Sequence, residues 1–194
     1  MNYKPLLEYF NAYSELTPDE IDIIQENSTY RKYLKGQYIV QQGDICRFKS
    51  FVIKGCLKTF YVDHEGQEHI VLFAIENWWT ADLGSFFTQK PADYNIQCIE
   101  DTEVIQFSFD KMELLYENIP KLERIFRIIV ENAYVASQNR IISNFSLPAK
   151  DRYIEFKNRY PQIEQRVPQY MIASYLGVTK EFLSKIKSQI IQNQ

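Results

Sequence analysis

The stretch QYMIASYLGVTKEFLSKIKS, residues 169–188, predicts two short helices separated by a tight turn. Gly177 can adopt the positive φ that the turn needs, Thr179 can cap the second helix, and Ala173 is small where the two helices would cross. The apolar positions that would form the inner face are Ile172, Leu176, Val178, Leu183 and Ile186. This combination predicts a helix-turn-helix.

The second helix places polar side chains along one face. These are Thr179, Lys180, Glu181, Ser184, Lys185 and Ser188. Lysines can reach guanine or a phosphate, and a glutamate can accept a hydrogen bond from cytosine N4. We therefore expect this face to enter the major groove of double-stranded DNA. The alternative is an ordinary helical hairpin with a solvated lysine face.

The charge of the chain is divided unevenly. Residues 1–119 carry 10 Lys and Arg against 19 Asp and Glu, whereas residues 120–194 carry 12 against 6. A basic C-terminal part beside an acidic N-terminal part is typical of a nucleic-acid-binding module joined to another domain.

Composition excludes several classes of protein. A hydrophobic content of 45% argues against disorder, and no segment approaches the roughly 20 apolar residues of a membrane span, so we expect a cytoplasmic protein without a membrane partner. The cysteines Cys46, Cys56 and Cys98 predict buried thiols, and His64 and His69 lack further ligands. We expect no metal, no cofactor and, since no catalytic constellation can be assembled, no enzyme.

The sequence pattern of residues 30–109 is typical of a small antiparallel sandwich or roll. Short runs of Val, Ile, Phe and Tyr are broken by glycines, which predicts about eight strands, and VDHEGQEH at 62–69 predicts a hairpin turn. Two short helices should precede the roll, with TPDE at 17–20 as a capping box. The predicted fold class is thus α+β.

One uninterrupted helix is predicted over residues 121–145. Apolar residues alternate at spacings of four and three, which is the seam of two packed helices. The seam comprises Leu122, Phe126, Ile129, Ala133 and Ala136. It predicts a homodimer, with burial of both apolar stripes inside one chain as the alternative. The predicted domains are a roll with its helices over 1–119, a dimerisation helix over 120–146 and a helix-turn-helix domain over 147–194.

Together these features resemble the cyclic-AMP receptor protein and fumarate-nitrate regulator family of bacterial transcription regulators. The resemblance covers nearly the whole chain and rests on FVIKGCLKTFYVDHEGQEHIVLFAI in the roll and RVPQYMIASYLGVTKEFLSKIK near the C-terminus, the latter in a form typical of the Bacteroidetes branch. It implies a cyclic-nucleotide-binding-like jelly roll, a dimerisation helix and a DNA-reading unit.

The resemblance also locates the family's phosphate-binding cassette. Its Gly-Glu-Leu start corresponds to Ala81, Asp82 and Leu83, and its arginine corresponds to Ala92, with Asp93 beside it. The expected pocket comprises Asp82, Leu83, Gly84, Ser85, Ala92, Asp93 and Tyr94. A buried phosphodiester without an arginine is unfavourable, so we expect the pocket not to bind cyclic AMP. Nearby aromatic residues either line a cavity for another small-molecule effector or fill it.

Two further departures qualify the resemblance. The family's oxygen sensors carry an N-terminal cysteine cluster that is not matched here, and the sequence after the second helix lacks the family's two-stranded wing. The resulting prediction is a dimeric DNA-binding transcription regulator, with RNA polymerase as a further candidate partner. The alternative is a ligand-binding or protein-interaction module whose helix-turn-helix no longer reads DNA.

Overall fold

The computed structural model describes residues 1–192, so the last two residues of the predicted helix-turn-helix domain lie outside it. Two helices open the chain, α1 (Lys4–Asn11) and α2 (Pro18–Glu26). Thr17 Oγ1 accepts a hydrogen bond from the Glu20 N–H at 3.3 Å, and the Glu20 carboxylate accepts one from the Thr17 N–H at 2.7 Å. The predicted capping box is therefore confirmed.

Eight described strands form the roll, as the glycine-broken pattern predicted. They are β1 (Thr29–Tyr33), β2 (Tyr38–Val40), β3 (Phe48–Lys54), β4 (Leu57–Val62), β5 (Glu68–Ala74), β6 (Trp79–Thr80), β7 (Asn95–Cys98) and β8 (Thr102–Ser108). One sheet has the order β1-β8-β3-β6 and the other β2-β7-β4-β5, with every pairing antiparallel. The predicted hairpin is confirmed as β4 and β5.

Helices make up the rest of the chain. A short helix interrupts the roll, α3 (Leu83–Thr88), and six others follow it: α4 (Phe109–Asn118), α5 (Pro120–Ser146), α6 (Ala149–Arg159), α7 (Pro161–Arg166), α8 (Gln169–Leu176) and α9 (Lys180–Gln192). The α+β fold class is thus confirmed. No helix within residues 1–192 is both long and apolar enough to cross a membrane.

Two hydrophobic cores organise the molecule. The first joins the roll to α1, α2, α4 and the first turns of α5. The second joins the outer side of the β4-β5 hairpin, through Phe60, Ile70 and Phe73, to helices α6 to α9. The helical C-terminal part is therefore packed on the roll and shares a core with it.

Polar contacts along strand β5 support this packing. β5 lies at the edge of its sheet, and its unpaired backbone groups find partners outside the sheet. The hydroxyl of Ser174 in α8 donates to the Glu68 carbonyl at 3.0 Å and accepts from the Ile70 N–H at 3.1 Å. The guanidinium of Arg140 in α5 donates to the carbonyls of Ile70, Val71 and, at 3.0 Å, Tyr175.

A second polar link lies at the end of α7. The Arg166 guanidinium is bidentate to Glu76, at 2.7 and 3.0 Å, and bidentate to Glu100, at 3.1 and 2.7 Å. Glu76 also accepts the Gly55 N–H at 2.8 Å. Burial alone would raise the pKa of the Glu76 carboxyl, but hydrogen bonds from Arg166 and Gly55 outweigh burial and hold that pKa below its usual value.

Candidate functional site

The turn between α8 and α9 closes with the hydrogen bonds of a Schellman motif. Gly177 has φ +68°, its N–H donates to the Ser174 carbonyl at 3.1 Å, and the Val178 N–H donates to the Ala173 carbonyl at 3.0 Å. A glycine is favoured here because residues with a side chain rarely adopt that φ. The turn predicted at Gly177 is confirmed.

The inner face predicted for this helix pair is buried except for Val178, which is partly buried. Ile172, Ala173, Leu176, Leu183 and Ile186 all belong to the second core. Burying the apolar sides of both helices fixes which side of α9 is turned outward.

All six residues predicted to read DNA are exposed on or just before α9. Thr179 Oγ1 accepts the Phe182 N–H at 3.2 Å, which confirms the predicted cap. Lys180 and Lys185 have no carboxylate within salt-bridge distance among residues 1–192, and Glu181, Ser184 and Ser188 share their side of the helix. Lys187 differs, because its ammonium pairs with Glu164 at 3.0 Å. Of the three lysines in the described part of α9, Lys180 and Lys185 are thus exposed without a carboxylate partner.

Two exposed aromatic residues of the helix-turn-helix were missed by the sequence analysis. Phe182 is 49% exposed on α9, and Tyr170 is 53% exposed on α8. An apolar ring at this position can contact a thymine methyl group. Phe182 lies four residues before the buried Ile186, so helical spacing places it at the edge of the buried stripe and gave no signal of its exposure.

The side chain of Asp82 links the two ends of the cassette region in the roll by hydrogen bonds. One carboxylate oxygen accepts the Ser85 N–H at 2.9 Å and caps α3, while the other accepts the N–H groups of Asp93 and Tyr94 at 3.0 and 3.2 Å. Asp82 is itself buried. A protein carboxylate thus takes up backbone donors at the place where the resemblance expected a phosphate-binding cassette.

The other cassette residues are also engaged or turned outward. The Ser85 hydroxyl donates to the Lys90 carbonyl at 2.5 Å and accepts the Cys46 N–H at 2.8 Å. Ala92 is buried, where the family would have an arginine. The remaining predicted pocket residues Leu83, Gly84, Asp93 and Tyr94 are exposed. The structure brings Asp82, Ser85, Asp93 and Tyr94 together through Asp82 and the backbone.

Aromatic residues around the cassette pack into the first core. Trp79 has its ring centroid 4.7 to 6.0 Å from those of Phe10, Phe51, Phe107 and Phe126. Phe86 in α3 is fully buried and packs on Phe109. For Trp79 and Phe86 this packing favours filling of the core, whereas Phe87 and Tyr94 are exposed.

Lys49 connects the cassette helix with α5. Its ammonium lies 5.0, 4.6 and 5.2 Å from the ring centroids of Phe86, Phe87 and Phe126. Burial lowers the pKa of Lys49 to about 8, with an opposing contribution from Glu113. The sequence analysis gave this residue no role.

The predicted dimer seam on α5 needs a correction. Leu122 and Phe126 are buried in the chain's own first core, because the first turns of α5 pack against the roll. Ile129 and Ala136 are partly buried, and Ala133 is exposed. Exposed apolar side chains occur instead at Val130, Tyr134, Val135, Ile141, Ile142 and Phe145. These exposed apolar side chains therefore lie on a side of α5 that is rotated away from the predicted seam.

The cysteine and histidine residues show no shared site. Cys46, Cys56 and Cys98 are buried and free, and burial raises the pKa of each thiol, that of Cys56 to about 12. His69 Nε2 lies 2.6 Å from Asp63 Oδ2 in the β4-β5 hairpin. Across residues 1–192, no three His, Cys, Asp or Glu residues are grouped so that they could hold a metal ion.

Comparison with known proteins agrees with this geometry. Residues 30–118 match the family model of the cyclic nucleotide-binding domain. Transcriptional activator protein Anr of Pseudomonas aeruginosa is 24% identical over 190 residues, covering 92% of this chain and 77% of the relative. The fumarate and nitrate reduction regulatory protein of Vibrio cholerae is 24% identical over 191 residues, covering 89% and 74%.

Solved structures show the same fold at low identity. FixK2 from Bradyrhizobium japonicum superposes with a TM-score of 0.74 at 15% identity, covering 86% of this chain and 85% of that one. The global regulator CLP of Xanthomonas campestris gives 0.73 at 14% identity, covering 91% and 93%. These relatives, the matched nucleotide-binding roll and the helix-turn-helix support a transcription regulator of the cyclic-AMP receptor protein and fumarate-nitrate regulator family.

Proposed function

We propose that the protein is a cytoplasmic, dimeric transcription regulator that inserts α9 into the major groove of a two-fold operator. The observation that carries this proposal is the outward face of α9, where Lys180 and Lys185 are exposed and have no carboxylate within 4.0 Å among the described residues. Lysines placed in this way contribute by releasing counterions from the phosphates that they approach. Contact with RNA polymerase belongs to the same proposal and rests on the family alone.

Dimer formation is supported by the second half of α5. Tyr134 is 63% exposed and Phe145 is 89% exposed, and Val130 and Ile141 lie on the same side of the helix. An apolar stripe of this length in water favours a second copy of the helix. Two copies would present two α9 helices to the half-sites of one operator. Sedimentation equilibrium tests this part.

Replacing Lys180 and Lys185 together with alanine should weaken binding to a promoter-proximal DNA duplex at least tenfold at low salt. The slope of log K against log salt concentration should decrease in magnitude by about one to two, because each lysine approaches about one phosphate. Fluorescence anisotropy at several salt concentrations measures both quantities. The matched control replaces Lys35 and Lys90, two exposed lysines of the roll, and should leave affinity and slope unchanged. Equal losses in the two double variants would contradict the assignment to α9.

We further propose that the roll does not respond to cyclic nucleotides. The support is the double use of Asp82, whose carboxylate accepts backbone N–H groups on both sides of the cassette. A phosphodiester brought to the same donors would face a buried carboxylate, and Ala92 offers no guanidinium to offset the repulsion. Any effector of this protein should then be a molecule of another class.

Millimolar cyclic AMP or cyclic GMP should change the melting temperature by less than about 1 °C. A ligand that binds the folded state at a hundred times its dissociation constant would raise it by several degrees in a chain of this size. Differential scanning fluorimetry, with sodium chloride at the same ionic strength as the reference, makes the comparison. A rise of several degrees with either nucleotide would mean that the cassette still binds phosphate.

A second candidate function is a protein-interaction module. It is favoured by the exposed rings of Phe182 and Tyr170, since aromatic residues are enriched at protein interfaces. The lysine experiment distinguishes the two candidates, because a module that only binds proteins would show no salt-dependent association with duplex DNA.

A further inference from the structure

A groove separates the second half of α5 from the helix-turn-helix domain. Its volume is about 700 Å³, and its walls come from three helices. Ala136, Arg140 and Ser143 lie on the α5 wall, Arg152 and Arg159 on the α6 wall, and Tyr175 in α8 closes one end. A molecule in this groove would touch both the long helix and the helix-turn-helix domain.

Three arginines and one glutamate line the groove, so its charge is positive overall. Arg140 donates to three backbone carbonyls. Arg152 donates to the carbonyls of Asn144, Leu147 and Leu176, and its buried Nε–H has no acceptor among residues 1–192. Neither guanidinium, nor that of Arg159, forms a salt bridge within that range. This contrasts with Arg166, which is paired with two carboxylates.

The remaining lining residues limit the kind of anion. Phe156, Tyr160 and Tyr175 supply aromatic surface, and the amides of Asn139, Asn144 and Asn158 supply hydrogen-bonding groups. The one carboxylate that lines the groove, Glu155, is hydrogen-bonded to the Ser143 hydroxyl at 3.1 Å. Aromatic walls with a few polar groups and uncompensated guanidinium charge suit an anion that has an apolar body.

The groove is largely distinct from the surfaces proposed above, although Ile142 of the exposed apolar face of α5 and Ala136 of the predicted seam also line it. Ala136, Arg140 and Ser143 follow one another at helical spacings of four and three, on the side of α5 roughly opposite to Tyr134 and Ile141. None of the six residues proposed to read DNA lines it. The positive charge of this cavity is therefore not explained by the proposed dimer interface or by the face of α9 that is proposed to enter the major groove of DNA.

We propose that this groove binds a small organic carboxylate with an aromatic or aliphatic body. The carboxylate would lie beside Arg159 and Arg140, and the body would pack on Tyr160 and Tyr175. Binding to the groove does not depend on the proposed DNA function. A regulatory effect of binding does rest on the proposed DNA function. The bound molecule would touch both α5 and the helix-turn-helix domain, so it would favour the arrangement in which the two are packed together.

The test measures the melting temperature of the full chain in the presence of 4-hydroxybenzoate, of succinate and of inorganic phosphate. Each value is compared with the melting temperature in sodium chloride at equal ionic strength. At ten times its dissociation constant, a carboxylate should raise the melting temperature by about 3 to 6 °C. Isothermal titration of the best carboxylate then gives its dissociation constant for the variants. Arg159→Gln should raise that constant at least tenfold, since it removes an exposed guanidinium from the groove.

The matched control is Lys157→Gln, which removes an exposed cation of α6 that does not line the groove and should leave the constant unchanged. Circular dichroism before titration confirms that each variant is folded. The proposal is overturned if neither carboxylate exceeds the chloride reference, if inorganic phosphate stabilises as much as they do, or if both variants bind equally well. The DNA-binding experiment with Lys180 and Lys185 is independent of this one. Its failure would not change what the titrations show about carboxylate binding to the groove.

Discussion

Gly55→Ala is expected to lower the free energy of unfolding by about 4 kcal/mol, which is among the largest effects of a single methyl group. Gly55 has φ +109°, a conformation that residues with a side chain rarely adopt. A Cβ atom there would lie 2.5 Å from Thr102 Oγ1, 2.8 Å from Thr102 Cα and 2.9 Å from the Asp101 carbonyl oxygen. Two of these three atoms are backbone, so rotating a side chain cannot relieve the overlap.

Gly66→Ala provides the matched control for this prediction. Gly66 also has a positive φ, +81°, but nothing lies within 4 Å of the position of a Cβ atom. Its cost should be about 1 kcal/mol, since only the backbone conformation is unfavourable. Urea unfolding followed by circular dichroism gives both values. Equal losses would show that the contact with Thr102 has no energetic importance.

Arg166→Ala is expected to lower the free energy of unfolding by about 2 kcal/mol at neutral pH. The change would leave Glu76 and Glu100 side by side without their shared cation. Fully buried pairs lose about 3 to 5 kcal/mol when one partner is removed, and the partial exposure of these three side chains reduces that figure. The appropriate control is Arg127→Ala, because the Arg127–Glu131 pair is solvent-exposed on α5 and should cost less than 0.5 kcal/mol.

The loss in free energy of unfolding caused by Arg166→Ala should be smaller at acidic pH than at neutral pH. The folded-state pKa of Glu76 lies below its usual value of 4.5, so the stabilisation from this carboxylate is complete above that value and is lost as the pH falls through the folded-state pKa. Unfolding free energies of wild type and Arg166→Ala should therefore differ by a constant amount from neutral pH to about pH 4.5 and converge as the pH falls below that value. A difference that stays constant down to about pH 3 would mean that Arg166 acts through packing alone.

The features that were predictable from sequence are those with a local cause. The capping box at Thr17 and Glu20, the turn at Gly177 and the cap at Thr179 each depend on residues within five positions of one another. The roll followed from its strand and glycine spacing in the same way. Because local conformation fixed α9, its outward lysines could also be named in advance.

The features that were not predictable depend on pairing across long sequence separations. Arg166 lies 90 residues from Glu76 and 66 from Glu100, and the sequence contains many other opposite charges that could pair. Leu122 and Phe126, predicted for the dimer seam, are buried inside the chain, because they satisfy a helical apolar repeat equally well in the chain's own core. Asp82 carried a readable signal, an acidic cap three residues before Ser85, but its bonds to Asp93 and Tyr94 required the fold.

The hydrogen bonds at the edge of β5 have a consequence for any movement of the helical part. Ser174 and Arg140 satisfy backbone groups of Glu68, Ile70 and Val71 that no neighbouring strand takes up. If the helix-turn-helix swung away, the roll would present a bare strand able to pair with another molecule. The docked helices thus protect the roll against self-association, and variants that release them should be harder to keep in solution than their loss of stability alone would suggest.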